Sequence, residues 1–299
     1  MTSEHGEDAV TPKTPFHDLD RYIEIPRLSG LTLSPDGSQL VTTVATIDPK
    51  KTGYRNALWA IDALGDAPAR RLTRSAKGES SASFTADGRL LFTSALPDPD
   101  AEDDGEANNA LWELPAGGGE ARLAHSRLGG IDGFLSNISS DVVVVNAGVL
   151  PGAHDEDSDQ ELRKARKDRK VAAILHDGYP VRFWDHDLGP AEPRLFVLDS
   201  AASAESSAAT ASSASSLRPV TDGIGVGLFE AHSVLSPDGS FALTTVFRPG
   251  AEADLSEHVE RISLIDGTRD VLLEAADGNI YPGPVSPDGT RAVFSQRES

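Results

Sequence analysis

The sequence predicts an all-β protein, a β-propeller of about four complete four-stranded blades plus half of a fifth, with a helical insertion in blade three. Three observations carry this. A hairpin motif returns at a near-constant interval, a four-strand pattern accompanies each copy, and one charged segment interrupts the pattern.

The motif is Leu33-Ser34-Pro35-Asp36-Gly37, repeated as Leu235-Ser236-Pro237-Asp238-Gly239 and Val285-Ser286-Pro287-Asp288-Gly289. Degenerate copies stand at Phe84-Thr85-Ala86-Asp87-Gly88 and at Ile138-Ser139-Ser140-Asp141. Pro35 and Ala86 are 51 residues apart, Ala86 and Ser140 are 54, and Pro237 and Pro287 are 50. The 97 residues from Ser140 to Pro237 hold one repeat and an insertion. Each copy has the chemistry of a tight turn: proline presets φ, aspartate bonds its own backbone, and glycine supplies positive φ.

An apolar strand follows each turn, as in Gln39 to Val44, Leu90 to Thr93, Val142 to Val145, Phe241 to Val246 and Arg291 to Phe294. Runs this apolar suit strands buried on both faces. A third strand recurs at Ala57 to Asp62, Ala110 to Leu114, Leu195 to Asp199 and Ile262 to Asp266, and a fourth at Arg70 to Thr73, Ala121 to Ala124, Arg218 to Thr221 and Asp270 to Leu273. Blades are expected over 31–74, 80–126, 134–221 and 230–275, with a half blade over 280–299. A β-sandwich has no reason to keep a fixed period. The domain reading is a disordered tail over 1–15 and an incomplete propeller over 16–299, whose last strand and the facing side of blade one are left uncovered and open to self-association.

Composition narrows the function. Apolar residues are 38% of the 299, enough for a sizeable core. With 47 acidic against 27 basic side chains the net charge is -20, which argues against nucleic acid or an anionic membrane as partner. The absence of cysteine excludes disulfides, thiolate metal sites and cysteine nucleophiles. Met1 to Pro15 lacks the apolar core of a secretory leader, and no run approaches the roughly 20 apolar residues of a membrane helix, so a cytoplasmic protein is expected.

The insertion spans about 152–193. Five acids lie within Asp155 to Glu161 and six bases between Arg163 and Lys170, an order that suits a helix dipole. Ser158 and Glu161 fit a capping box, so a helix is expected over about Asp159 to Leu175. Gly178-Tyr179-Pro180-Val181-Arg182-Phe183-Trp184-Asp185-His186-Asp187 follows, dense in aromatics for a chain only 6% aromatic. A second segment, 200–216, is almost all Ser and Ala and reads as a flexible loop.

The repeated Ser-Pro-Asp-Gly hairpins, the basic helix and the Tyr179 to Asp187 stretch ahead of Leu195-Phe196-Val197 resemble the prolyl oligopeptidase family of serine peptidases, in particular its acylaminoacyl-peptidase and dipeptidyl-aminopeptidase-like bacterial members. The resemblance covers about Phe16 to Ser299. It implies a propeller that restricts a catalytic α/β-hydrolase domain to short peptides, with that domain as partner and peptides as substrates. The hydrolase domain itself is absent from 1–299, so the sequence reads as a fragment.

No residue is assigned a catalytic, cofactor-binding or metal role, and no cofactor is expected. The nucleophile elbow Gly-x-Ser-x-Gly has no match: Ser286 has Pro284 and Asp288 at the critical offsets, and Ser34 has Thr32 and Asp36. Without an elbow the eight histidines take no triad role. Trp184-Asp185-His186-Asp187 is read as an aromatic anchor packing the insertion against the blade, in preference to a metal cluster, since no second histidine stands at ligand spacing. Arg182 facing a substrate carboxylate is the other functional reading of this stretch. The acidic runs from Asp100 and from Asp155 fail the calcium-loop pattern, with Leu111 and Arg166 at position twelve, and read as solvated loops. Gly117 to Gly119 and Gly223 to Gly227 lack dinucleotide spacing and read as turns and blade connections. Asn137-Ile138-Ser139 matches a glycosylation sequon, to which a chain without a secretory leader gives no meaning. The alternative to a peptidase propeller is a free-standing propeller that binds proteins; a propeller enzyme with its site in the central channel is a third reading.

Overall fold

The fold was analysed in a computed structural model that describes residues 14–96, 108–176, 179–199, 215–250, 255–275 and 278–297. A short helix, α1 (Leu19–Ile23), capped by the Asp18 carboxylate, precedes the first sheet. Blade one is β1 (Arg27–Leu33), β2 (Gln39–Ile47), β3 (Tyr54–Asp62) and β4 (Arg70–Arg71), paired in that order. Tyr54 Oη donates to the Ile23 carbonyl at 2.8 Å and ties α1 to it. Blade two repeats the meander with β5 (Glu79–Phe84), β6 (Leu90–Ser94), β7 (Ala110–Leu114) and β8 (Arg122–His125).

Blade three starts with β9 (Gly133–Asn137) and β10 (Ser140–Val149). The chain then leaves the sheet for α2 (Glu156–Asp168) and a small hairpin, β11 (Arg182–Phe183) with β12 (His186–Asp187), before β13 (Glu192–Asp199) and β14 (Ser216–Pro219) complete the blade. Blade four is β15 (Ser233–Leu235), β16 (Phe241–Pro249), β17 (Leu255–Ser263) and β18 (Arg269–Glu274); β19 (Asn279–Val285) and β20 (Ala292–Arg297) form a two-stranded sheet after it. Every strand pair is antiparallel, as the repeat predicts. The fourth strand of blade one is shorter than expected, two residues in place of four.

The recurring turn is held by one side-chain clasp. Ser34 Oγ donates to Asp36 Oδ1 at 2.6 Å, and the same oxygen accepts from Ser38 N at 3.0 Å. Ser34 Oγ in turn accepts from Gln39 N at 2.9 Å, which starts β2 in register. The clasp returns as Ser236–Asp238 at 2.7 Å and Ser286–Asp288 at 2.6 Å, with Thr85 and Asp87 substituting in blade two. Gly37, Gly239 and Gly289 take φ of 72°, 71° and 70° at the turn, a region that favours glycine. Blade three lacks the motif, and Asn137 replaces it: its Oδ1 accepts from Ser139 N and Ser140 N at 2.8 and 2.9 Å. Its Nδ2 donates to the Ser236 carbonyl in the next blade's clasp.

The core lies between blades. Val41 and Leu58 of blade one meet Phe84, Phe92 and Trp112 of blade two. Leu91 and Leu111 on the other face of blade two meet Val143, Val145 and Phe196 of blade three. Val144 and Leu195 face Ala242 and Ile262 of blade four, whose far face sets Leu243 and Val259 against Ile280. Both faces of the middle strands are therefore covered, which is why β6 and β16 read as continuous apolar runs. On the outermost sheets Leu28, Leu31 and Val293 are exposed.

The clasps carry a pH signature. Donation from Ser34 and from the Ser38 amide holds the Asp36 carboxyl down to about 2. Donation from the Ser240 amide lowers Asp238, and donation from the Ser286 hydroxyl lowers Asp288. A carboxyl depressed in the folded state stabilises it above the unfolded pKa near ~3.9, and that contribution is lost as pH falls towards the folded value. Replacing Asp36, Asp238 and Asp288 together with asparagine is expected to lower the melting temperature above about pH 5, with the gap from the parent closing between about pH 4 and pH 2. Melting curves across this range test it; a gap that stays constant contradicts the role of the ionised clasps.

Candidate functional site

The insertion in blade three lies outside the propeller repeat, and it builds a polar site in which a helix, the blade and a hairpin meet. Asp155 caps α2: Ser158 N donates to Asp155 Oδ1 at 2.8 Å, and Asp155 N donates back to Ser158 Oγ at 3.1 Å. The helix therefore starts at Glu156 and ends at Asp168, where the sequence led us to expect Asp159 to Leu175. The nearer acid takes the capping role given to Ser158. Lys170, at φ 53°, turns the chain out of the helix, and Arg166 donates to the Ala173 carbonyl at 2.9 Å to fold the next segment back.

Helix α2 docks through charge. Glu156, Asp159 and Arg163 share one face at helical spacing. Asp159 is fully buried and accepts from Arg127 Nη2 at 2.6 Å, Arg163 Nε at 2.8 Å and Leu150 N at 2.8 Å. Arg127 is 6% exposed and also donates to the Gly148 carbonyl, which Arg163 meets at 2.7 Å. Burial pulls the Arg127 guanidinium below its ordinary pKa, and the Asp159 charge opposes that shift. The acidic run from Asp155 is thus corrected from a solvated loop to the first turns of α2, with one carboxylate inside.

The same face assembles a chain of groups that invites a catalytic reading. His125 Nδ1 lies 2.9 Å from Ser215 Oγ, and its Nε2 lies 3.3 Å from Glu156 Oε1. Ser215 Oγ, however, donates to the Ala124 carbonyl at 2.9 Å. A hydroxyl has one proton, and while the Ala124 carbonyl holds it the imidazole does not accept it. Ser215 also stands directly ahead of β14, in extended chain and not in a strand-to-helix elbow. The three side chains tie α2 to β8 and β14.

Beneath α2 is a cavity of about 620 Å³, with Arg163 from the helix, Asp132 and Gly148 from blade three, Asp187 to Gly189 from the hairpin, and Phe229 with Glu230 from the connection to blade four. A side chain at Gly129 would place Cβ 2.6 Å from the Arg163 guanidinium, and one at Gly148 would meet Ala191 Cβ at 3.0 Å. The surrounding protein pushes the Asp132 carboxyl up, opposed by the charge of Arg127. The arrangement can hold a polar group by charge and hydrogen bonding. No group of three or more His, Asp or Glu side chains among the described residues is placed to hold a metal ion.

The residues singled out in the sequence fall as follows. Trp184 does not anchor the insertion: it occupies the two-residue turn between β11 and β12 at φ 51°, with 87% of its surface exposed, while the neighbouring Leu188 is buried. The hairpin reversal turns the indole outward. Arg182 is exposed, 3.7 Å from Asp187. Ser34 and Ser286 are clasp residues that donate to aspartate. Gly225 to Leu228 forms a 3-10 turn between blades three and four, in keeping with a connection. The tail up to residue 13, the acidic run from Asp100 and residues 200–214 of the Ser/Ala segment lie outside the described residues. Sequence reasoning missed Arg127 and His125, which stand in no motif and meet their partners only through the fold.

No protein-family model matches the chain, and no curated protein matches it in sequence. Solved structures do. The acylaminoacyl peptidase of Pyrococcus horikoshii in its orthorhombic crystal form is 11% identical with a TM-score of 0.59, covering 93% of this chain and 37% of that one. Its uncomplexed form gives 10% and 0.57 over the same shares. An acylaminoacyl peptidase in complex with Z-Gly-Gly-Phe-chloromethyl ketone gives 11% and 0.60, over 94% and 37%. The likeness is one of fold: the chain is a β-propeller with the architecture of a portion of the acylaminoacyl peptidases. It spans little more than a third of their length.

Replacing Asp159 with asparagine leaves Arg127 buried beside a neutral partner, a change expected to cost about 3 kcal/mol. The expected result is a lower melting temperature and faster tryptic cleavage at the bases of α2, from Arg163 to Lys170. Unchanged melting and cleavage would contradict the docking role of the pair.

Proposed function

We propose that the chain is the propeller portion of a prolyl oligopeptidase-family serine peptidase, where it gates access of short peptides to a catalytic α/β-hydrolase domain. The observation that carries this reading is the structural likeness to acylaminoacyl peptidases over 93–94% of the chain, joined to the hairpin repeats and the Tyr179 to Asp187 stretch in the sequence. In this reading the propeller supplies shape and not chemistry. The nucleophile, its histidine and its acid belong to the hydrolase domain, and the apolar contacts between successive blades keep the propeller stiff enough to exclude large substrates. No helix among the described residues is long and apolar enough to cross a membrane, and we place this function in the cytoplasm.

A serine-reactive fluorophosphonate tests the proposal in two settings. The isolated chain is expected to take no label, Ser215 included, and to leave acylaminoacyl chromogenic substrates uncut. Native protein captured with antibodies against this chain is expected to carry one labelled serine outside residues 1–299, on the same polypeptide or a co-purifying one. A labelled serine inside 1–299, or none in the native material, would overturn the proposal.

A further inference from the structure

The cavity beneath α2 is lined by groups of both charges that the fold does not use up. Its one base among the described residues is Arg163, whose Nε donates to Asp159 at 2.8 Å and whose Nη2 donates to the Gly148 carbonyl at 2.7 Å. A guanidinium carries five N–H groups, so these two bonds leave three, on a side chain 22% exposed at the cavity wall. Three carboxylates line the same cavity from separate elements: Asp132 just ahead of β9, Asp187 on β12 and Glu230 on the connection to β15. Asp187 has only the long, solvent-exposed pair with Arg182 at 3.7 Å, and Glu230 has no hydrogen bond or ion pair with another described residue. Half-buried Phe229 and buried Leu188 give the cavity an apolar side.

These groups select a ligand by its charges. A simple anion would meet Arg163, whose charge Asp159 already balances, and would face three carboxylates. A metal ion finds no group of three acidic or histidine ligands among the described residues. A plain amine would leave the remaining guanidinium donors without an acceptor, and an apolar molecule would strip water from every charged group without replacing it. A molecule with an ammonium and a carboxylate close together and an apolar remainder satisfies all of them. Its carboxylate suits the planar fork of a guanidinium, and its ammonium brings three donors to the carboxylates. Its remainder covers Phe229 and Leu188. The surrounding protein pushes the Asp132 carboxyl up, and an ammonium beside it favours the ionised form. The volume of about 620 Å³ lies within the range of small-molecule sites, roughly 300–1,000 Å³.

We propose that the cavity beneath α2 binds a free apolar α-amino acid, with Arg163 holding its carboxylate, Asp132, Asp187 and Glu230 receiving its ammonium, and Phe229 packing against its side chain. The site is built from residues of this chain alone and does not rest on the gating reading.

Isothermal titration calorimetry of the chain with L-phenylalanine and L-leucine tests it. At least one of the two is expected to bind saturably, one molecule per chain, with an affinity that salt lowers. The amide of that amino acid, which lacks the carboxylate, and its N-acetyl derivative, which lacks the ammonium, are each expected to bind at least roughly 10-fold more weakly. This ligand series probes Arg163 without a substitution that would also undock α2. The double variant Asp187→Asn with Glu230→Gln is expected to weaken the free amino acid by roughly 10-fold and not to weaken the N-acetyl derivative. Both positions are exposed, and unchanged far-UV circular dichroism and melting confirm folding. No saturable binding of either amino acid, a blocked derivative that binds as tightly as the free form, or a double variant of undiminished affinity would overturn the proposal.

Discussion

A serine or threonine hydroxyl bonded to an aspartate two residues on closes the first hairpin in four of the five sheets of the repeat, and the stacking of those sheets depends on it. Successive side chains of a strand point to opposite faces, so a slip of one residue exchanges the two faces. In an ordinary half-exposed sheet only one face would suffer. Here Leu58 faces blade two, and β16 sends Ala242 to blade three and Leu243 to the sheet of Ile280, so a slipped hairpin would misplace two interfaces together. The amide at the start of the following strand, or just before it in the last sheet, donates to the clasp serine and sets that register at its origin. Blade three closes its hairpin by another route, a two-residue turn in which Asn137 Oδ1 accepts from the amides of Ser139 and Ser140.

The propeller was legible in the sequence because both of its signals are local. A turn residue forms its bonds within five positions, and a doubly buried strand shows itself as an apolar run. The insertion was legible only in part. Its helix was expected from the order of acids and bases, but the competition between Asp155 and Ser158 for the cap is settled by which side chain reaches the free amides, which composition does not specify. The inward turn of Asp159 depends on Arg127, a partner 32 positions away with no motif around it. The same holds for His125, 90 positions from Ser215. Trp184 was misjudged for a related reason: an aromatic cluster marks packing on average, yet a two-residue hairpin fixes direction, and this one points outward.

The insertion turns a repetitive scaffold into a particular molecule. A helix with charged residues on its docking face buries little apolar surface, and it stays in place through a network in which Asp159 is met by two guanidinium groups and an amide. A cavity is left beneath it and an aromatic tip beyond it. Neither is required for blades to stack, which is the physical reason to attach function to this region and stability to the clasps. The hydrogen-bonded line through Ser215, His125 and Glu156 illustrates the same division. It has the residue types of a catalytic relay, and the direction of one hydroxyl proton makes it a structural tie.

The central claim is that the propeller limits access by size to chemistry carried elsewhere. The most direct measurement compares hydrolysis of a short acetylated peptide with that of a denatured full-length protein by native material captured through this chain. The account predicts turnover of the peptide and none of the protein, with the protein becoming a substrate once the propeller is cut away from the captured material. Equal cleavage of both substrates while the propeller remains in place would contradict it.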